Sequence, residues 1–371
     1  MITVSSIELI LPTFLTIISV ILGIFYVVAP SLEPPDRVLG AKVTEEFRKS
    51  NKCKQIIKQY RIRGVMIVVI SLVLGGVLLF EVSPLVPFPI IILLILGSVN
   101  YVTSRKRVIL ERGEIKEPNV RYAVIDTSKK KGFGVWFLAL PWLILLGMLI
   151  LGVVDYHSIP SELPFHINSN GVIAYAPKDP VNVLLNQIIN AFLLFIFTIV
   201  GIAVYVSKPR INPAYPEEYY KSYERSKEYA VATIGIIATG LTLLESLLTL
   251  WSWGIFPLNS ISVVLPLSMV AFLSCAILGI VISLAKMSIE GGRYLRELEK
   301  QGKLKLSNAI EDDDKYWKLG MFYYNPNDDR VIIPKRFGSG YTFNFGNKKA
   351  LILFISLLML PIATILIVIL I

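Results

Sequence analysis

The sequence predicts an all-α fold: a polytopic transmembrane helix bundle of about eight spans, with a small cytoplasmic substructure before the last span. Three observations carry this. Of the 371 residues, 54% are hydrophobic and only 17% charged, where a soluble domain carries nearer a quarter. Several apolar runs continue for the roughly 20 residues that cross about 30 Å of hydrocarbon. The basic residues are also segregated, as counted below. A transmembrane β-barrel would show short alternating strands instead.

Taken in order, the expected spans are 6–29, 64–81, 86–104, 134–154, 182–206, 229–250, 260–285 and 349–371. The first has no basic n-region before it and no small-residue cleavage site after it, so it reads as a retained helix rather than a signal peptide. The second and third are separated at the Glu81-Val-Ser-Pro84 turn, because prolines at 84, 87 and 89 do not suit one long helix. Lys and Arg number nine in 30–63, nine in 105–133, five in 207–228 and thirteen in 286–349. These segments lie on one side of an eight-span chain and hold 36 of the 37 basic residues; the other side receives only Lys178. Cytoplasmic loops collect Lys and Arg, so the expectation is a multi-pass plasma-membrane protein with both termini extracytoplasmic. The formal net charge of +10 then reflects cytoplasmic loops, and no nucleic-acid partner is expected.

The chain divides accordingly. Residues 1–133 hold N-terminal helices and basic cytoplasmic loops, with an amphipathic helix expected near 43–60 and a polar connector over 105–133. Residues 134–206 form a helix pair around an outer loop, 207–285 a second pair, 286–348 a cytoplasmic segment and 349–371 the last span. The cytoplasmic segment opens with a helical stretch, Ile289–Lys305, followed by the acidic run Glu311–Asp314. Cys53 and Cys275 form no metal pair or disulfide framework. No metal site and no cofactor are expected.

Asp155–Lys178 is the one sizeable outer loop. Pro160 and Pro164 favour extended backbone, and Asn170-Gly171 is a turn signal. His157 and His166 titrate near neutral pH in their unperturbed state, but two histidines nine apart with only Asp155 and Glu162 nearby make a poor zinc site. His166 and Asn168 either brace the loop or contact a ligand. Beneath it, Asn182, Asn186 and Asn190 recur at i, i+4, i+8 and so share one helix face. Glu245 lies in the outer third of the sixth span. Asn186, Asn190 and Glu245 are the candidate polar pocket, with helix-to-helix adhesion as the plainer role for the asparagines.

Leu163-Pro164-x-His166-x-Asn168-x-x-Gly171, with Ile159-Pro160 before it and Lys178 after it, resembles the signature loop of a bacterial membrane domain found in the Sdp-type toxin-immunity proteins. The resemblance covers about 137–205. It implies an extracytoplasmic loop, protection against a secreted toxic protein and, in some members, retention of a transcriptional repressor at the membrane. Pro164, His166, Asn168 and Gly171 carry over; Val172-Ile173-Ala174 stands where many relatives have a Pro-Asp pair. Trp317-Lys318-x-Gly320-x-Phe322-Tyr323-x-Asn325-Pro326-x-Asp328 and Pro334-Lys335-Arg336-x-Gly338-x-Gly340-Tyr341-Thr342-x-Asn344-Phe345 resemble an uncharacterised domain often attached to the first. Read physically, 325–328 is a turn, Arg330–Ile333 and Tyr341–Phe345 are strand-like, and the interleaved aromatic and basic residues suit either a headgroup-level platform or a small folded cap.

Catalytic signatures such as H-E-x-x-H, G-x-S-x-G and the P-loop are absent from the sequence, and Glu217-Glu218 sits in a charged, Pro-rich stretch read as loop. The expected function is therefore non-enzymatic: immunity to, or sensing of, a secreted peptide, toxin or envelope component through the outer loop. A transporter or exporter subunit is the alternative, and a scaffold for a regulatory protein or anionic lipid inside is a third reading. The lipid bilayer is the common partner.

Overall fold

The computed structural model describes residues 4–78, 88–115, 132–167, 173–207, 209, 216–282, 288–303, 312–336 and 340–370. It is mostly helical: α1 (Val4–Val28), α2 (Glu45–Lys49), α3 (Asn51–Leu78), α4 (Phe88–Glu111), α5 (Gly134–Val154), α6 (Pro180–Tyr205), α7 (Pro216–Ser252), α8 (Ile261–Ile282), α9 (Ser288–Lys300) and α10 (Lys348–Leu370). Among the described residues, five helices are long and apolar enough to cross a membrane: Asn51–Val77, Gly134–Val154, Pro180–Tyr205, Pro216–Ser252 and Val263–Ile282. Helices α1, α4 and α10 coincide with three further expected spans. The Glu81–Pro84 turn lies outside the described residues.

Helices α1, α3 and α4 pack together, and α5, α6 and α8 surround α7. The centre of the second group is α7, whose Gly235 lies against the backbone of α5: a Cβ there would stand 2.4 Å from the Phe137 carbonyl oxygen. Small residues permit this kind of close crossing where lipid supplies no hydrophobic drive between helices.

Two helices run further than the sequence suggested. The amphipathic stretch near 43–60 and the second span are one helix, α3, preceded only by the short α2. Arg61 and Arg63, which marked the loop end, are good helix formers, and no proline interrupts them. Likewise α7 begins at Pro216, so the PEEYYKSYER stretch is helix and not loop. Pro216 occupies the first helical position, where its missing N–H costs nothing, and Glu217 and Glu218 suit the first turn.

Among the described residues, four short antiparallel hairpins cap the helix ends: β1 (Arg37–Val38) with β2 (Ala41–Lys42), β3 (Glu162–Ile167) with β4 (Ile173–Pro177), β5 (Trp317–Lys318) with β6 (Phe322–Tyr323), and β7 (Ile332–Pro334) with β8 (Tyr341–Phe343). The first, third and fourth gather at one end of the bundle, here the basic end, and the second sits at the opposite, hairpin end. Leu39 and Gly40 both have positive φ, 49° and 71°, which is the two-residue turn whose twist matches paired strands. Leu319 and Gly320 repeat this pair at 53° and 73°.

Candidate functional site

The Asp155–Lys178 loop carries the β3–β4 hairpin. Its register shifts between Pro164 and His166, as expected where a proline supplies no N–H to the ladder. Leu163 and Ile159 are buried with Val183, Met148 and Trp253 at the ends of α5, α6 and α7. The Trp253 indole N–H donates to the Val183 carbonyl at 3.0 Å, and the Ser252 hydroxyl donates to the Pro164 carbonyl at 3.4 Å. Lys178 closes the base: its ammonium donates to the carbonyls of Ile159 (2.7 Å) and His157 (3.3 Å) and lies 4.8 Å from the Tyr156 ring centroid. Asp179 caps α6 by accepting from the Val181 and Asn182 backbone N–H groups, both at 2.8 Å. The backbone of His166 pairs with Ala174. Asn168 and Gly171 lie outside the described residues, as does the side chain of His166.

Below the hairpin, α6 and α7 meet along a polar seam. Asn186 donates to the Thr249 hydroxyl at 3.3 Å, and the Thr242 hydroxyl donates to Asn190 Oδ1 at 3.4 Å. Asn190 and Thr242 are buried, as are Thr249, Ser246 and Gln187. Asn182 does not join this seam; its amide donates to the Pro177 carbonyl and to Asp179. Glu245 falls on the α7 turn between Thr242 and Thr249, and its backbone carbonyl accepts from Thr249 at 2.8 Å.

The basic end carries the densest polar structure, most of it unforeseen. Asp314 is gripped by three guanidiniums: Arg105 at 2.8 Å, Arg112 and Arg336. The Lys42 backbone N–H adds a fourth donor at 3.3 Å. Arg112 also pairs with Asp312 (2.7 Å) and Arg336 with Asp313. The Arg336 side chain is 2% exposed and lies 5.3 Å over the Trp317 ring. Burial pushes the Asp314 carboxyl above its usual value even against these guanidiniums. Beside it, Lys42 pairs with buried Asp36. Burial draws its ammonium down to about 8, a loss that Asp36 only partly offsets. Glu33, fully buried, accepts from the N–H groups of Leu39 (2.7 Å) and Gly40 (2.6 Å); burial raises its carboxyl to about 7.

The aromatic motif builds the cap on this cluster. The Tyr323 hydroxyl donates to Asp328 at 2.8 Å and accepts from the Asn325 amide at 3.2 Å. Asn344 joins the two hairpins: its Oδ1 accepts from the Asn325 N–H (3.0 Å), and its amide donates to the carbonyls of Asn325 (2.9 Å) and Asp328 (2.8 Å). Asn325-Pro326-Asn327-Asp328 is a turn, closed by the Asp328 N–H on the Asn325 carbonyl at 3.2 Å. The Gly320 carbonyl accepts from Tyr101 of α4 at 3.1 Å. The Lys335 side chain is exposed, its backbone N–H donates to the Gly340 carbonyl at 3.0 Å, and Gly340 has a φ of 96°. Gly338 lies outside the described residues.

Residues 326–351 match a family of unknown function (DUF5808). The match spans the Pro326 turn, both strands of the last hairpin, Arg336, Asn344 and the start of α10. It supports an uncharacterised C-terminal domain and does not reach the β3–β4 hairpin. No curated protein and no solved structure matches the chain.

Of the motif residues singled out in the sequence, Trp317 packs on Tyr323 and under Arg336, and Asn325 bonds Tyr323. Sequence reasoning missed Glu33, Asp36, Lys42, Arg105 and Arg112. The available signal was the repeated Leu-Gly pair in RVLGAK and WKLGMF, two tight turns that meet the same cluster.

Proposed function

We propose that this is a non-enzymatic plasma-membrane protein of eight spans with both termini extracytoplasmic, and that its β3–β4 hairpin detects a secreted peptide, toxin or envelope component. In this reading the basic end faces the cytoplasm, where the cap anchors the protein or engages a regulatory protein or anionic lipid. One observation supports the span count above the others. Segments 30–49, 105–112, 288–300 and 312–336 touch one another: Arg48 meets Glu299, Arg296 donates to the carbonyls of Glu33 and Pro30, and Arg105 and Arg112 meet Asp314. Each interval between these segments must then hold an even number of crossings. α3 with α4, α5 with α6, and α7 with α8 supply them.

The hairpin supports the recognition half of the proposal. Its base is fastened by Lys178, Ser252 and Trp253, which gives a fixed platform for recognition. Pro164 and Lys178 serve the platform, and His166, Asn168 and Gly171 are the residues proposed to contact the ligand. Expression in a toxin-sensitive bacterium tests this directly. The wild-type chain is expected to protect against a cognate secreted toxin, with protection lost in His166→Ala and Asn168→Ala variants. Equal sensitivity with and without the wild-type chain would reject the immunity reading.

The α6–α7 seam favours one competing reading, a transporter subunit. Single cysteines introduced along both helices separate the two. Labelling confined to the hairpin third fits detection, whereas labelling continuous to the basic end fits transport.

A further inference from the structure

The β3–β4 hairpin has two outer edges, and the chain treats them differently. The Lys178 N–H donates to the Ser161 carbonyl at 2.8 Å, one position beyond the Glu162–Pro177 pair. Bonded and non-bonded pairs alternate along an antiparallel ladder. Leu163 and Ala176 are therefore the next bonded pair, while Glu162, Pro164, Tyr175 and Pro177 turn their backbone groups away from the partner strand. Two observed bonds agree: the Pro164 carbonyl accepts from Ser252, and the Pro177 carbonyl accepts from the Asn182 amide at 2.9 Å.

On β3 the outer edge is closed. Leu163 and Pro164 are buried, Pro164 has no N–H to offer, the register shifts just beyond it, and α7 packs alongside. These are the usual means of blunting an edge strand. On β4 only Pro177, at the end, serves that purpose. Its sequence Ile173-Ala-Tyr-Ala-Pro177 bears no charge, and Ala174 and Tyr175 are exposed, Tyr175 by 48%. The outward N–H and C=O of Tyr175 have no partner among the described residues. The same alternation turns the backbone groups of Ile173 to that edge.

We propose that the open edge of β4 takes up one extended segment of a cationic peptide as a third strand. The inference rests on the reading that the hairpin detects a secreted peptide, and names how it does so. Strand addition draws affinity from main-chain hydrogen bonds and specificity from alternate side chains. Charge selects the occupant. Apart from the histidines, residues 155–179 hold Asp155, Glu162 and Asp179 against Lys178 alone, and 251–260 hold no charge. A second copy of the hairpin would bring the same negative surplus to the edge, whereas a cationic segment complements it. A Lys or Arg of the added strand, placed beside Tyr175, also meets an exposed aromatic face.

The test pans the full-length protein in lipid nanodiscs against two libraries of short synthetic peptides, in which Val, Thr, Ile or Tyr alternates with Lys and Arg or with Glu. Cationic members are expected to be enriched over the Glu set. The best binder is then N-methylated on one or the other alternate set of its amides. One set should cut affinity by up to about tenfold per bond lost and the other leave it unchanged, because only every second residue of a strand faces the edge. Tyr175→Pro should abolish binding while melting and eluting as the wild type does, since that N–H lies outside the ladder. Tyr175→Val, which keeps the N–H, should still bind. If Tyr175→Pro melts early, the methylation pattern decides alone. Binding indifferent to Tyr175→Pro or to both methylation sets, or stronger enrichment of the Glu library, would overturn the proposal and leave the detection reading standing. So would a wild-type dimer that Tyr175→Pro converts to monomer, since a second copy then fills the edge. Enrichment of neither library over empty nanodiscs would remove this proposal and peptide detection together.

Discussion

Single residues at the basic end carry disproportionate weight because their charges are buried. Asp314 holds three guanidiniums, and removing it leaves Arg105 and Arg112 in a low-dielectric site without their shared carboxylate. Breaking a buried pair on one side costs about 3–5 kcal/mol. Asp314→Ala is therefore expected to lower the unfolding midpoint in detergent by that order. The loss should persist at high salt, since ions screen exposed charges far more than buried ones. Glu33 gives a pH signature of opposite sense to a paired surface acid. Its carboxyl sits near 7 in the fold against an ordinary 4.5, so the folded protein holds that proton more tightly than the unfolded chain. Its contribution is most favourable below about pH 4.5, erodes as pH rises through the window to 7, and is fully unfavourable above, by about 3 kcal/mol at 1.4 kcal/mol per unit. A melting curve taken at pH 5, 6, 7 and 8 should fall with pH in the wild type and flatten over that window in Glu33→Gln. Glu33 was not legible beforehand: in sequence it is one acid among Pro-rich loop residues, and its role depends on a turn whose first residue, Leu39, takes a positive φ without being glycine.

Among elements, the helices were the most legible part. Long apolar runs with charged flanks mark where a helix must be, and every expected span falls on a described helix or beside one. Helix ends were less legible, because Arg, Lys and Glu end an apolar run without ending a helix. The 28 residues of α3 and 37 of α7 extend past their apolar windows for that reason. The Asp155–Lys178 loop was half legible: its prolines announced extended backbone, but strand pairing between Glu162–Ile167 and Ile173–Pro177 is a non-local fact. The seam was legible as the asparagine face, apart from Asn182, which α6 uses at its own start. Packing between elements supplies a further test at Gly235, where α5 and α7 touch backbone to backbone. Gly235→Leu should force the helices apart and cost several kcal/mol by overpacking, seen as an earlier melting midpoint. Leu243→Ala, at a half-buried position of the same helix, should cost less.

At the scale of the molecule, the ends of the bundle have different constructions. The hairpin end is apolar and hydrogen-bonded, with Trp253 and Leu163 as its fixings. The basic end is a web of ion pairs that links Lys42, Arg105, Arg112, Asp314 and Arg336 across nearly 300 residues of sequence. Changes at one end are expected to leave the other intact: Lys178→Ala should loosen hairpin-end protease protection while the basic end keeps its own, as read by the cleavage sites in limited proteolysis. The web also imposes an order on synthesis. Arg105 and Arg112 leave the ribosome about 200 residues before Asp314, which at 5–20 residues per second is roughly 10–40 s. For that interval the growing chain carries guanidiniums whose final carboxylate has not been made. A chain stopped short of residue 314 would keep them without that carboxylate, so the web closes only when the last third of the chain has been made.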